Sequence, residues 1–262
     1  KDSAHVTACA RAAGKVKRTG AQMDDLKHPL WIVDAPAVAA AIRDALTGLL
    51  DHPVQPMTPS DVTDEPVCAA ALVEILLPDA CGLTMASSLR FTIHVPVAVW
   101  GTRPLPLYAW VAWQVGLNGC LDKNMAWGDM VAHVQLLLQG ASVWPPPIWE
   151  QVQAFEEQTG KRLRQLNATE WARWLDMVGG GSLKQLAAMW GITLRGAAKA
   201  RDRLCEKLGV GDETEAVKLA WSAGMVKMGH DPRWSEAVLL YQAHSTLASA
   251  SPPAANPPTG ED

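Results

Sequence analysis

Residues 183–208, LKQLAAMWGITLRGAAKARDRLCEKL, read as two helices separated by one break. Residues 183–190 are a short apolar-periodic run, Gly191-Ile192-Thr193 interrupts it, and 194–208 resumes the period. Two helices joined by a short turn containing glycine are the helix-turn-helix pattern. Wound at about 100° per residue, the second helix gathers Ala197, Ala200, Leu204 and Leu208 into an apolar seam. Arg195, Lys199, Arg203 and Lys207 recur at i, i+4, i+8 and i+12, in a row about 125° away from that seam. Asp202 and Glu206 partly neutralise the row. Thr193 stands where it can cap the helix and leave its first amides aimed at a phosphate. An ordinary solvated helix face has the same periodicity, so the spacing alone leaves both readings open.

Outward from this segment, residues 170–178 form a helix with Trp171, Trp174, Leu175 and Val178 on one face, and Gly179-Gly180-Gly181 stop it. Residues 213–223 are a further helix and 234–244 another. Net charge is −4 over 262 residues, but it is uneven. Residues 161–228 hold 12 Lys/Arg against 7 Asp/Glu, and the remainder holds 11 against 20. The imbalance suits a polyanionic partner at the C-terminal part, and a chance asymmetry of the surface reads the same from charge alone.

Residues 140–147, GASVWPPP, and 251–262, SPPAANPPTGED, punctuate the chain. Three consecutive prolines exclude a regular element at the first, and the second is a polar tail. A linker helix is expected over 149–158. Before the prolines, apolar runs alternate with helical patterns. Strands are expected at 30–33, 70–76 and 95–99, with a short fourth around Leu121; helices are expected at 35–50 and 125–138. Such alternation indicates a parallel sheet covered on both faces, with its chemistry at the carboxyl ends of the strands. Asp34, Glu74, Gly101 and Thr102 fall there, with Lys123 just after Leu121.

The composition, 48% hydrophobic and 19% charged, excludes a wholly disordered chain. Five cysteines with no CxxC pair suggest a reducing, cytoplasmic setting. The opening residues carry charge throughout and lack an apolar core, so no signal peptide is expected, and polar interruptions argue against a membrane span. The seven histidines show no metal-ligand spacing, and no Ser/His/Asp arrangement stands out, so neither a metal, a cofactor nor an enzymatic activity is expected. Trp110 and Trp113 are expected in the core or on a dimer face.

Residues 166–220 resemble the LuxR-type helix-turn-helix family. The resemblance is carried by Leu166 and Glu170, by Gly180-Gly181-Ser182 with Lys184, Leu186 and Ala187, by the turn Gly191-Ile192-Thr193, by Glu206-Lys207-Leu208-Gly209-Val210, and by Thr214-Glu215-Ala216-Val217. It departs at Gly196-Ala197-Ala198, where the family has threonine, valine and lysine. Residues 29–140 are then similar to the receiver domain of NarL/FixJ-type response regulators, in WIVDAPAVAAAIRDAL (31–46), LVEILLPDACGLTMASSLR (72–90), PVAVWGT (96–102) and GLNGCLDK (116–123). The prolines at 53, 56, 59 and 66 leave little room for the usual second helix.

The resemblance implies a doubly wound, flavodoxin-like receiver followed by a four-helix LuxR-type domain. It implies an extension over 1–26, a receiver-like domain over 27–140, a linker over 141–165, a DNA-binding domain over 166–228, and an extra helix with a tail over 229–262. In the family's pocket, Asp34 keeps one acid, Ala35 replaces its neighbour and metal ligand, and Glu74 replaces the phosphoacceptor aspartate. Gly101 replaces the hydroxyl, unless Thr102 serves through a slip of one residue; Cys120 stands in the place of the switch aromatic, and Lys123 remains. A glutamate at 74 can reach the lysine and imitate phosphorylated charge, or it is a relic. The implied partners are double-stranded DNA, a second copy of the chain, and RNA polymerase or another regulator. Lys184, Thr193, Arg195, Gly196, Lys199, Arg203 and Lys207 would face DNA. Ala216, Val217, Ala220 and Trp221 would form a dimer face. The alternative is a protein-interaction regulator that has lost sequence-specific DNA binding.

Overall fold

The computed structural model describes residues 28–62, 67–77, 80–102, 104 and 106–223. The strand Leu30–Val33 (β1) is a four-residue apolar run in which alternate side chains must enter opposite layers. Leu30 and Ile32 join one buried cluster, Trp31 and Val33 the other. The same division holds for Ala70–Glu74 (β3), Val97–Gly101 (β4) and Gly119–Asp122 (β5). With Val54–Met57 (β2) they make a five-stranded sheet in the order β2-β1-β3-β4-β5, every pair parallel.

Helices Pro36–Leu46 (α1) and Trp127–Leu138 (α4) cover one face through Ala39, Leu46, Met130, Val134 and Leu137. Gly82–Thr92 (α2) and Pro106–Gln114 (α3) cover the other through Leu83, Leu89, Leu107 and Trp110. This is the doubly wound α/β arrangement that the alternation of runs implies.

Several boundaries differ from the sequence reading. α1 ends at Leu46 rather than 50, before Gly48 at φ 92°. β3 stops at Glu74, and β4 runs two residues later than expected. β2 was hidden by Pro56, which an edge strand tolerates because one side of its backbone needs no partner. Among the described residues, only the single 3₁₀ turn Pro59–Asp61 lies between β2 and β3, in place of a helix.

The proline run did not prevent regular structure. Helix Pro146–Phe155 (α5) begins inside it, because proline's missing N–H costs nothing in a first turn. Ile148, Val152 and Phe155 extend the α2/α3 core cluster, and the chain continues through a π turn, Glu156–Gly160, and one short turn, Lys161–Leu163. Trp110 is fully buried beneath this segment, its ring 5.5 Å from that of Phe155, and Trp113 meets Trp149 edge-on at 5.8 Å. Both tryptophans are occupied within the chain.

Four helices follow: Ala168–Val178 (α6), Leu183–Met189 (α7), Leu194–Leu208 (α8) and Glu213–Ser222 (α9). Their core is Trp171, Trp174, Leu186, Leu204 and Leu208, continuous with the cluster under α5. The predicted helix at 234–244, the extension and the tail lie outside the described residues.

The tightest approach in the sheet unit is at Gly82, where a Cβ would stand 1.8 Å from the Glu74 carbonyl oxygen. Gly82→Ala should therefore lower stability by about 3 kcal/mol in urea unfolding. Gly128→Ala, with nothing within 4 Å of the added carbon, should raise it by about 0.5–1 kcal/mol.

Candidate nucleic-acid interface and acid pocket

The carboxyl ends of β1, β3 and β5 converge on one ammonium. Lys123, just past β5, lies 2.5 Å from Asp34 Oδ2 and also pairs with Glu74 Oε2. Asp34 is 3% exposed and Glu74 8%, so both charges sit in a weakly screened site. The other Asp34 oxygen accepts from the Ala35 amide at 2.6 Å, and Glu74 Oε1 accepts from the Leu76 amide at 3.0 Å. The Trp100 ring lies 4.7 Å from the Lys123 ammonium, a contact that sequence reading missed because β4 was expected to end at 99.

Gly101 is buried beside Glu74, and a Cβ there would stand 3.4 Å from Oε1. Thr102 is exposed one residue beyond the strand, and the register pairs Glu74 with Trp100 and Gly101 with Asp122. The slip that would bring Thr102 into the pocket is not made. Burial pushes the Cys120 thiol up, with Asp122 and Glu74 adding to the effect, so it stays a protonated core side chain.

Mg²⁺, which the receiver fold implies, requires an octahedral shell of oxygens. Here position 35 offers no side-chain oxygen, and the carboxylates of Asp34 and Glu74 are both engaged by the same ammonium. The residues present do not fit the ion. No group of three or more His, Cys, Asp or Glu suited to a metal occurs among the described residues.

The helical unit presents a second site. Ser182 caps α7 with a reciprocal Gln185 bond, and Lys184 stands exposed in its first turn. Thr193 Oγ1 accepts from the Gly196 amide at 3.1 Å and starts α8. Gly209, at φ 66°, ends it in the left-handed conformation. Ala197, Leu204 and Leu208 are buried, whereas Arg195, Lys199 and Arg203 are exposed with no partner among the described residues.

Lys207 does not extend that row. Its ammonium donates to Glu170 Oε2 at 2.7 Å and to the Gln165 carbonyl at 3.2 Å, tying α8 to the start of α6. Arg162 similarly donates to the Leu208 carbonyl at 3.2 Å. These partners lie 37 to 46 residues apart in sequence, beyond the reach of any local pattern. The expected dimer face is also corrected. Ala216 and Ala220 are fully buried, and the Trp174 indole donates to the Ala216 carbonyl at 3.0 Å. Of that set, only half-buried Val217 and Trp221, 61% exposed, reach the surface.

No family model matches the chain, and no curated protein does. Solved structures do match in fold. RcsB from Salmonella enterica serovar Typhimurium, bound to promoter P1flhDC with the phosphomimetic BeF3-, is 15% identical with a TM-score of 0.50, covering 74% of this chain and 98% of that one. A two-component response regulator RcsB–DNA complex is 14% identical with a TM-score of 0.48 over the same shares. The response regulator ChrA of a heme-sensing two-component system is 18% identical with a TM-score of 0.42, over 75% and 98%. The likeness is one of fold. No helix among the described residues is long and apolar enough to cross a membrane.

The two sites make separate predictions. Lys123→Met would leave two buried carboxylates facing each other, and should cost about 3 kcal/mol in urea unfolding. In the second site, burial pushes the Glu170 carboxyl up, but Lys207, the Asn167 amide and Arg173 outweigh it and hold it below its ordinary 4.5. A lowered folded value contributes stability that is complete above the unfolded value and lost as pH falls through the folded one. Glu170→Gln should therefore reduce stability at neutral pH and flatten the acid limb below about pH 4.5, read by urea midpoints across pH.

Proposed function

We propose that this chain is a DNA-binding transcription regulator of the response-regulator class, acting as a dimer on double-stranded DNA without aspartyl phosphorylation. The observation that carries the reading is the pairing of two features in one chain. One is a helix-turn-helix whose second helix exposes Arg195, Lys199 and Arg203; the other is an acid pocket in which Lys123 already holds Asp34 and Glu74. The LuxR-type pattern over residues 166–220 supports the first half. The unsuitability of the pocket for Mg²⁺ supports the second, because phosphoryl transfer to a receiver relies on that ion for charge neutralisation.

In this reading, α8 lies against the major groove and the cations bind phosphates. Thr193 and Lys184 fix the approach from the turn and from α7. A single helix-turn-helix contacts half a site, so two copies act together, with Val217 and Trp221 on the part of α9 that remains exposed. Glu74 supplies in permanent form the negative charge that a phosphorylated acceptor would supply transiently.

A second reading is a regulator that pairs with another protein and has lost operator recognition. Gly196-Ala197-Ala198 at the start of α8 favours it, as do the exposed apolar side chains of Met189 and Leu194 flanking the turn. A gel-shift titration of the full chain against genomic fragments across a salt series separates the two. Alanine at Arg195, Lys199 or Arg203 should each weaken binding and flatten the log–log salt slope by about one. Unchanged affinity and slope in all three would favour the protein-interaction reading.

Regulation is tested by incubation with Mg²⁺ and acetyl phosphate, which should leave the chain unlabelled. Stoichiometric base-labile label at Glu74 with tighter DNA binding would overturn the phosphorylation-independent reading. Glu74→Gln should weaken dimerisation or DNA binding; a silent variant would reduce Glu74 to a relic.

A further inference from the structure

The outward face of α8 is not uniformly basic. At about 100° per residue, Arg195, Asp202 and Glu206 fall within about 40° of one another, and Lys199 lies beside them. Asp202 thus stands in the middle of the surface that would face the groove, one turn beyond Lys199, at a position where i and i+3 side chains are neighbours. A carboxylate here repels the phosphates that the surrounding cations attract.

Asp202 is also oriented. Arg201 donates to its Oδ1 through Nε at 3.2 Å and Nη2 at 3.1 Å. The same guanidinium reaches Glu213 of α9 through Nη1 at 3.5 Å. Both donors converge on one oxygen, so Oδ2 has no partner among the described residues, and the side chain is 68% exposed. An exposed pair of this kind adds little stability. Its consequence is geometric: the carboxylate is braced, with one acceptor free.

We propose that Asp202 reads sequence, its free oxygen accepting the exocyclic amine of a cytosine in the major groove. This rests on the DNA-binding reading above and names what that site selects. The groove floor offers two exocyclic amines, cytosine N4 and adenine N6. Adenine carries the acceptor N7 beside its amine, which opposes a carboxylate, whereas cytosine carries only a C–H there. A lone acid therefore favours cytosine. Lys199, one turn back, keeps its phosphate contact and anchors the helix beside the base that Asp202 reads. Base discrimination would then survive the loss of polar side chains at Gly196-Ala197-Ala198, because it has moved farther along the helix.

The test is selection from a random duplex pool by the full chain at fixed salt, followed by anisotropy titrations on the selected site. The wild-type chain should enrich a motif with one strongly preferred cytosine. Asp202→Ala should lose that preference by about ten- to a hundredfold while binding sequences without the cytosine more tightly. Asp202→Asn, which leaves size and fold unchanged, should move the preference at that position to adenine, since an amide can both donate to N7 and accept from N6. Glu206→Gln should tighten binding to all sequences evenly without changing the motif. If the wild-type chain binds duplexes and enriches the same motif as both Asp202 variants, this assignment is wrong and the DNA-binding reading stands. If the wild-type chain binds no duplex, the DNA-binding reading falls and takes this assignment with it.

Discussion

Trp110 joins the two halves of the molecule. Its indole is completely buried on α3, packs on Phe155 of α5, and donates to Glu156 Oε2 at 2.8 Å. Glu156 in turn binds Arg164. The absence of a side chain at Gly160 permits this arrangement, since a Cβ there would stand 2.5 Å from both the indole nitrogen and Glu156 Oε2. One apolar cluster consequently runs from the sheet face through α5 into the core of the four C-terminal helices. Large aromatic surfaces of this kind dominate burial, and a hydrogen-bond partner for the polar tip offsets its desolvation. Glu156 provides one at the place where the chain changes from a sheet-covering helix to a turn.

That continuity has consequences for α8. Arg162 reaches the carbonyl end of α8 at Leu208, and Lys207 fastens the same end to Glu170 and Gln165. Lys207 is thereby committed to the scaffold, and the unpaired cations of the outward face are confined to the stretch from Arg195 to Arg203. Cations that look equivalent at i, i+4, i+8 and i+12 are not equivalent once folded. The last belongs to the scaffold.

The sheet unit shows the same economy. Its strands deliver Asp34, Glu74 and Lys123 to one point, as parallel α/β topology does with residues at strand ends. The ammonium satisfies both acids, and Trp100 lies against it. The three groups leave a net charge of −1, but both carboxylates are already engaged by the ammonium. A divalent ion or a phosphoryl group would have to displace an existing pair from a nearly dry environment, where separated charges are costly.

The sequence by itself determined the periods. Four-residue apolar runs and heptad-like seams made β1, β3, α6, α7 and α8 legible, because a strand buried on both faces and a half-buried helix each impose a local pattern on their own residues. The glycine at 191 and the cap Thr193 were equally local, and so was the order of Asp34, Glu74 and Lys123 along the chain. Tertiary structure alone decided what depended on distant partners. β2 exists despite Pro56 because it lies at an edge, and α5 begins within the prolines because a first turn needs no amide. Ala216 is interior where the Trp174 indole donates to its carbonyl, and Ala220 is buried in the same cluster. Lys207 is lost from the basic row because Glu170, a cap residue 37 positions earlier, holds it. No periodicity records such pairings, since the contact energy that fixes them arises only when the chain has already brought the two groups together.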